Sequence, residues 1–329
     1  MEIVLNSSIN NQIVNTNEVV EKSSSGFLEA NTQKVSLNHL KNDCIIPVFS
    51  KDNETTISHY QFINKAVEVV QELFPDFHQK EPDIRVSHVI KGRTPSAIGK
   101  PAKDLLEDEK TLYYERCAFL IELEQASQMV NGNKLTLSVG GVRAYNQENL
   151  YNKKSVEKFK IFIGYQNKVC TNLCVSSDGF TNEVRITSVD ELYNNMAVLF
   201  SNYDRENHIK MMEKMSKAYL TEIQFAHFIG KSRMFYHLDK SSQKEMFQQA
   251  LNDGQLNNVV KDYYNCPNFS RNADGSISLW NLYNLLTEAN KSSYIDNNLE
   301  RNVNAYELIN NIGFSLENNT PNWYLPSYI

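Results

Sequence analysis

The chain has 329 residues, of which 41% are hydrophobic and 11% aromatic, so it can bury a substantial core. Its formal charge of -6 excludes a generally basic polyanion binder, and any nucleic-acid contact must be local. Five cysteines at irregular spacing are unlike a secreted disulfide framework, and no window approaches the roughly 18 apolar residues of a membrane span. Because "MEIVLNSSINNQIV" also lacks a secretory pattern, we expect a cytoplasmic protein.

The N-terminal part of the chain is rich in Asn, Ser, Thr and Gln and has no sustained hydrophobic period. We expect residues 1–53 to form a mobile tail and residues 54–329 to form a single domain. The first predicted helix lies in "SHYQFINKAVEVVQELFPD". Ser58 and Gln61 have the spacing of a capping box, apolar residues recur at helical intervals, and Pro75 ends the run.

Strand patterns dominate the next part of the chain, and helical patterns the last. Short runs rich in Val, Ile, Phe, Tyr and Thr predict about six antiparallel strands over residues 84–187, since no crossover helices separate them. From Ser188 onwards the apolar period changes to that of helices. The fold class is therefore α+β, with a sheet followed by a mostly helical C-terminal half. Two subdomains, 54–187 and 188–329, are the alternative to one continuous domain.

The stretch "VCTNLCVSSDGF" holds two of the five cysteines. On a regular strand Cys170 and Cys174 would stand roughly 13 Å apart, too far to share a tetrahedral metal ion. We therefore expect no metal and no cofactor here, but a buried strand that turns at Asp178 into a strand ending near Ile186. Asn172 would share the face of the two thiols, and a buried amide must find a hydrogen-bond partner.

A basic and aromatic segment is the first candidate site. The segment from Gly140 to Cys170 contains six basic and two acidic residues, so its formal charge is +4, whereas that of the whole chain is -6. Single-stranded nucleic-acid grooves combine cations for phosphate with rings for bases. The alternative is an ordinary solvated sheet face. With two residues from a neighbouring loop, the predicted nucleic-acid-binding set is Lys91, Arg93, Arg143, Tyr145, Lys153, Lys154, Lys160, Phe162 and Lys168.

A polar stripe on a late helix is the second candidate site. Asn281, Asn284, Glu288 and Lys291 follow one another at intervals of three, four and three, which places them on one helix face. Two amides, an acid and a base could bind a ligand by hydrogen bonds. A plain amphipathic helix has the same pattern, so this alternative stays open.

Several phrases resemble a known bacterial family. They include "IRVSHVIKGRTPSA", "LSVGGVRAYNQENLY", "FKIFIGYQNKVCTNLCVSSDG" and "SLWNLYNLLTEANKSSYIDNNLERNVNAYELI". Together they are similar to the domain of unknown function family DUF3871 of Bacteroides-type bacteria, from about Ile84 to Leu325, without the N-terminal tail. More distantly, "TNLCVSSDGF" and "LWNLYNLLTEANK" resemble phage- and plasmid-borne families. The resemblance implies a mobile-element setting and offers no catalytic residues.

Three functional hypotheses follow. The leading one is a non-enzymatic, nucleic-acid-associated accessory protein of a mobile genetic element that binds single-stranded DNA through the basic and aromatic set. The alternative is a protein-interaction module that inhibits or recruits a host factor, which the acidic net charge and the aromatic end "NWYLPSYI" favour. The second alternative is a metal-dependent enzyme acting on nucleic acid, with Asp178, Glu288 or the cysteines as ligands. The oligomeric state is left open.

Overall fold

The computed structural model describes residues 26–44, 46, 56–147 and 156–326. Within them an antiparallel sheet precedes a helical half, so the predicted α+β class is confirmed. The strands are β1 (Gln33–Val35), β2 (Asp83–Val86), β3 (Val89–Arg93), β4 (Lys110–Tyr114), β5 (Arg116–Val130), β6 (Asn133–Ala144), β7 (Glu157–Asn167), β8 (Leu173–Cys174), β9 (Phe180–Ile186), β10 (Tyr219–Leu220) and β11 (Ile277–Ser278). The main sheet has the order β1-β2-β5-β6-β7, and β8 and β9 both pair with β7.

The helices cover the sheet and form most of the second half of the chain. They are α1 (Leu37–Asn42), α2 (His59–Leu73), α3 (Val189–Asn202), α4 (Arg205–Lys217), α5 (Glu222–Met234), α6 (Lys240–Glu245), α7 (Asp253–Asn265), α8 (Leu279–Asn290) and α9 (Ile295–Asn318). Strands β3 and β4 form a separate two-stranded ribbon, as do β10 and β11. No described helix combines the length and the apolar character needed to cross a bilayer.

Helix α2 begins at the predicted capping box. The Ser58 side chain accepts a hydrogen bond from the backbone of Gln61, and the Gln61 side chain accepts one from Ser58 N at 2.7 Å. The apolar face of α2 packs on the sheet, where the rings of Phe62 and Phe119 meet edge to face at 5.0 Å. This approach requires Gly141 in β6, since a Cβ there would lie 2.4 Å from the Phe62 ring.

The main sheet is covered on both faces. One core lies between the sheet, α2 and the C-terminal helices, and it contains side chains from both halves of the chain. A second core lies on the opposite face, against the start of α9. Because successive side chains of a strand point to opposite faces, Ile161 enters the first core and Phe162 the second. Because both faces are covered, several residues that were predicted to lie on the surface are buried.

The prediction of a mobile tail over residues 1–53 is wrong for residues 26–44. Strand β1 adds an edge to the sheet by pairing with β2, and α1 follows it directly. Phe27 and Leu28 are buried in the second core. Burial of two large apolar side chains fixes this segment, although its polar composition suggested otherwise. Apart from residues 26–44 and 46, the predicted tail lies outside the described residues.

The strand predicted through both Cys170 and Cys174 is shorter than expected. Thr171 has a φ of 62°, which takes the chain out of extended conformation, and β8 begins only at Leu173. The Asp178 turn does not make a hairpin either. Since β8 and β9 are both antiparallel to β7, they run in the same direction along one edge of it. The second strand does end at Ile186, as predicted.

Candidate functional site

Three members of the predicted nucleic-acid-binding set are buried. Arg143 is 0% exposed, and its guanidinium pairs with Glu157 at 2.5 Å and lies 4.4 Å from the Phe159 ring centroid. Tyr145 and Phe162 are 2% and 1% exposed. Placing these three on a nucleic-acid surface was therefore wrong, because strands β6 and β7 are covered on both faces.

Two lysines of the predicted set are paired with carboxylates, and the third that the structure describes does not lie beside them on the main sheet. Lys160 donates to Glu300 at 2.7 Å and to the carbonyl of Asp296 at 2.6 Å. Lys168, about 26 Å further along an extended chain, pairs with Glu122 at 2.8 Å. Lys91 and Arg93 lie on the separate β3–β4 ribbon, where Arg93 donates to the carbonyl of Lys100. Lys153 and Lys154 lie outside the described residues. The described lysines and Arg93 thus form no single surface.

Asn172 and the polar stripe, which were predicted separately, come together. Asn172 is buried and donates through Nδ2 to the carbonyl of Asn284 at 2.9 Å. Asn167, at the end of β7, donates to Asn284 Oδ1 at 3.0 Å. Asn284 in turn donates to the carbonyl of Trp280 at 2.9 Å. The Nδ2 group of the buried Asn172 therefore has its partner on the predicted stripe, while its Oδ1 has none among the described residues.

Lys291 ends the stripe as a buried cation, only 1% exposed. Its ammonium donates to Glu288 Oε2 at 2.9 Å, to Thr171 Oγ1 at 3.2 Å, and to the carbonyl of Cys170. Burial raises the pKa of Glu288, while Lys291 opposes this shift. A buried ammonium with such partners is held in place by the protein itself, so it joins α8 to the loop before β8.

An N-terminal strap, residues 26–30, closes over this polar cluster. The backbone N–H groups of Glu29 and Ala30 both donate to the carbonyl of Lys291, at 2.9 and 3.1 Å. The Thr171 hydroxyl donates to the carbonyl of Gly26 at 3.2 Å. The remaining stripe residue, Asn281, donates to the carbonyl of Ser270 at 3.2 Å. Through these contacts the stripe residues hold α8, the loop before β8 and the N-terminal strap together, so the stripe is not an open ligand-binding face.

A second polar cluster surrounds His208, which is buried on α4. Its Nδ1 lies 2.5 Å from the Tyr203 hydroxyl and 3.3 Å from the Ser176 hydroxyl, while Nε2 has no partner among the described residues. Burial lowers the pKa of His208 to about 3, and the charge of Asp178 opposes this shift. Ser176 donates to Asp178 at 2.6 Å, so the aspartate orients the serine and not the imidazole. This arrangement is not a catalytic triad.

An open groove between α4 and α9 has a volume of about 490 Å³. Its apolar lining includes Met211, Met215, Leu279, Ile309, Phe314 and Leu316. Phe314 is 58% exposed, an unusual position for a phenylalanine on a helix. The exposed Lys214, Lys217 and Glu317 also line the groove. On α4, Met212 and Met215 are buried, whereas Met211 is only half-buried and lines the groove.

Metal ligands do not cluster in the described part of the chain, where no group of three or more His, Cys, Asp or Glu side chains could hold an ion. All five cysteines are free thiols. Burial raises the pKa of Cys170 to about 12, so this thiol stays protonated near neutral pH. Cys170 and Cys174 therefore pack as small apolar side chains.

Comparison with known proteins identifies one family model. It is described as "Domain of unknown function, B. Theta Gene description (DUF3871)" and matches residues 8–325. The family match ends at residue 325, where the sequence resemblance also ends, but it begins at residue 8 and not near residue 84. It therefore includes most of the N-terminal segment that the resemblance did not cover. No curated protein and no solved structure matches the chain.

Proposed function

The chain belongs to the DUF3871 family, and from this premise we propose that it is a protein-interaction module whose α4–α9 groove binds an amphipathic helix of a partner protein. The observation that carries the proposal is the groove itself. It is open and apolar, and it carries the exposed Phe314 ring at its surface. Exposed apolar surface of this kind typically marks an interaction site. Flexible methionines suit a groove that receives apolar side chains.

Charge on the groove favours an acidic partner helix. Lys214 and Lys217 are exposed, and they lie three residues apart on α4, so both point to the same side. The Glu317 carboxylate is 3.9 Å from Lys214, a weak exposed contact. A helix with apolar residues at intervals of three and four and acidic residues beside them would match this surface. Such a helix is the occupant that we propose.

The nucleic-acid hypothesis is less well supported by the positions of its residues. Three of the nine predicted residues are buried, and Lys160 and Lys168 face carboxylates. The metal-dependent enzyme also lacks support, because the described residues hold no ligand cluster. We retain the mobile-element setting from the family resemblance as part of the proposal. A cytoplasmic location belongs to it as well, and the five free thiols support this location.

The test compares two charge substitutions at exposed apolar residues. Phe314→Glu changes the groove, whereas Ile223→Glu changes a residue on α5 that is 77% exposed and does not line the groove. The full chain is immobilised and incubated with nuclease-treated extract of Bacteroides-type cells. A stoichiometric captured protein is then identified, and its amphipathic helix is synthesised as a labelled peptide for titration by fluorescence anisotropy.

We expect Phe314→Glu to weaken peptide binding by more than about tenfold, since an aromatic anchor that becomes buried in the complex contributes over about 1.4 kcal/mol. Ile223→Glu should leave binding unchanged, and Lys217→Glu should weaken it mainly at low salt. Equal binding by the wild type and Phe314→Glu would contradict the proposal. If a protein is captured from untreated extract but not from nuclease-treated extract, and Lys91→Glu abolishes binding of single-stranded DNA at low salt, the nucleic-acid hypothesis replaces it.

A further inference from the structure

A cysteine, a histidine and an aspartate meet at the end of α1. His39 Nδ1 lies 2.7 Å from Asp43 Oδ2, and His39 Nε2 lies 3.9 Å from Cys44 Sγ. The Tyr114 hydroxyl, from β4, lies 2.9 Å from the same Nε2. The imidazole thus has a carboxylate on one nitrogen and two O–H or S–H donors on the other.

The local sequence "SLNHLKNDC" explains this arrangement. Ser36 caps the helix by accepting a hydrogen bond from His39 N, and α1 ends at Asn42. Residues four apart share one helix face, which brings Asp43 to His39. Cys44 follows where the helix has ended, and its thiol is only half-buried. The imidazole is partly exposed as well, so a small reagent can reach both groups.

The hydrogen bonds fix the tautomer that general-base chemistry requires. A carboxylate only accepts, so Asp43 holds the proton of His39 on Nδ1. The lone pair of Nε2 then faces the Cys44 thiol and the Tyr114 hydroxyl. A nucleophile within reach of a base, with the base oriented by a third group, is the recurring arrangement of nucleophilic catalysis.

We propose that Cys44 is a nucleophile for acyl transfer, with His39 as its general base and Asp43 as the residue that orients His39. The thiol sulfur attacks the carbonyl carbon of an ester or thioester, and the thiol proton passes to His39 Nε2. The new C–S bond forms as the bond to the leaving group breaks, and His39 returns the proton to the leaving group. Water then hydrolyses the acyl-cysteine, giving the free acid and restoring the thiol.

The state of the thiol makes His39 necessary. Burial, together with the charge of Asp43, raises the pKa of Cys44 to about 11. Near pH 7 only about one thiol in 10⁴ would then be ionised without help. Acylation at neutral pH therefore depends on proton transfer to the imidazole and not on a standing thiolate. Tyr114 competes with the thiol for Nε2, so removal of its hydroxyl should favour the reaction.

The experiment uses p-nitrophenyl acetate as the acyl donor. Release of p-nitrophenol is followed by absorbance, and the acetylated peptide is identified by mass spectrometry after digestion. We expect the acetyl group on Cys44, at a rate that His39→Gln lowers by about 10²-fold or more. Asp43→Asn should lower it less, and Tyr114→Phe should raise it. Cys266→Ala removes another half-buried thiol and should change nothing.

Circular dichroism of each variant verifies that the helical and sheet content is retained. Absence of acetyl-Cys44 in wild type quenched during the reaction, together with p-nitrophenol release no faster than in Cys44→Ala, would overturn the proposal. So would acetylation of Cys44 at the same rate in His39→Gln, or labelling shared equally among Cys44, Cys170 and Cys266. A faster reaction in Tyr114→Phe supports the general-base role specifically, because a purely structural role of the hydroxyl would give slower or unchanged acylation.

Discussion

Two buried histidines make the free energy of unfolding depend on pH. His208 is enclosed by Tyr203, Tyr165 and Tyr306, with Asp178 as the nearby charge. His59 is the buried first residue of α2 and donates through Nε2 to the carbonyl of Tyr114 at 2.9 Å. Burial lowers the pKa of each imidazole to about 3, and the Arg143 charge adds to the shift of His59.

The sign and size of the effect follow from linkage. In the unfolded chain both imidazoles have the ordinary pKa of 6.5, so on acidification the unfolded state takes up protons first. Each unit of pH between 6.5 and 3 then lowers the free energy of unfolding by about 1.4 kcal/mol per histidine. From about pH 7 to pH 5 the loss is about 2 kcal/mol for each histidine and about 4 kcal/mol for both.

Urea unfolding at a series of pH values measures this dependence. His208→Gln and His59→Gln keep hydrogen-bonding groups but remove the titration, so each should reduce the loss between about pH 7 and pH 5 by about 2 kcal/mol. His237→Gln replaces an exposed histidine and serves as the matched control. An unchanged pH dependence in the double variant would refute the reasoning, as would NMR titration of the His208 ring near pH 6.5 in the folded protein.

Two further predictions concern buried polar pairs. Arg143→Met should lower the free energy of unfolding by about 3–5 kcal/mol in urea titration, because it leaves the Glu157 carboxylate buried without its cation. The double variant Arg143→Met/Glu157→Leu should recover much of this loss. If the double variant is as unstable as the single one, the pair is not the cause. Asn284→Ala should lower the free energy of unfolding by about 2–4 kcal/mol, since Asn167 loses its acceptor and a cavity forms. Asn318→Ala, at an exposed residue, is the control. Equal losses in the two variants would contradict this reasoning.

Local patterns were sufficient to predict much of the fold. The capping box at Ser58 depends on residues three apart, and the strand and helix periods depend on neighbours within one element. The prediction that Asn172 must have a partner needed only the cost of burying an amide. Its identity, Asn284, could not be predicted, because that contact joins residues 112 positions apart through the packing of α8 on the sheet.

The failed predictions depended on tertiary structure. Arg143 was counted as a surface cation because its partner, Glu157, lies 14 residues away on the next strand, β7, and a strand pattern does not show that both residues are buried. Phe162 was assigned to an outer face because a strand pattern does not reveal whether a sheet has a second cover. Phe27 and Leu28 form that cover together with α9, yet two apolar residues in a polar stretch carry no period.

The N-terminal strap imposes an order on folding during synthesis. Its residues 26–30 are synthesised before their partner at Lys291 and before the apolar residues Leu299 and Val303 of α9. Until then one face of the nascent sheet has no cover, and it is open to association with other chains. Closure joins segments more than 260 residues apart, which is slow because of the long loop that must close. A polypeptide released before α9 would thus aggregate, and a chaperone would be most useful in that interval.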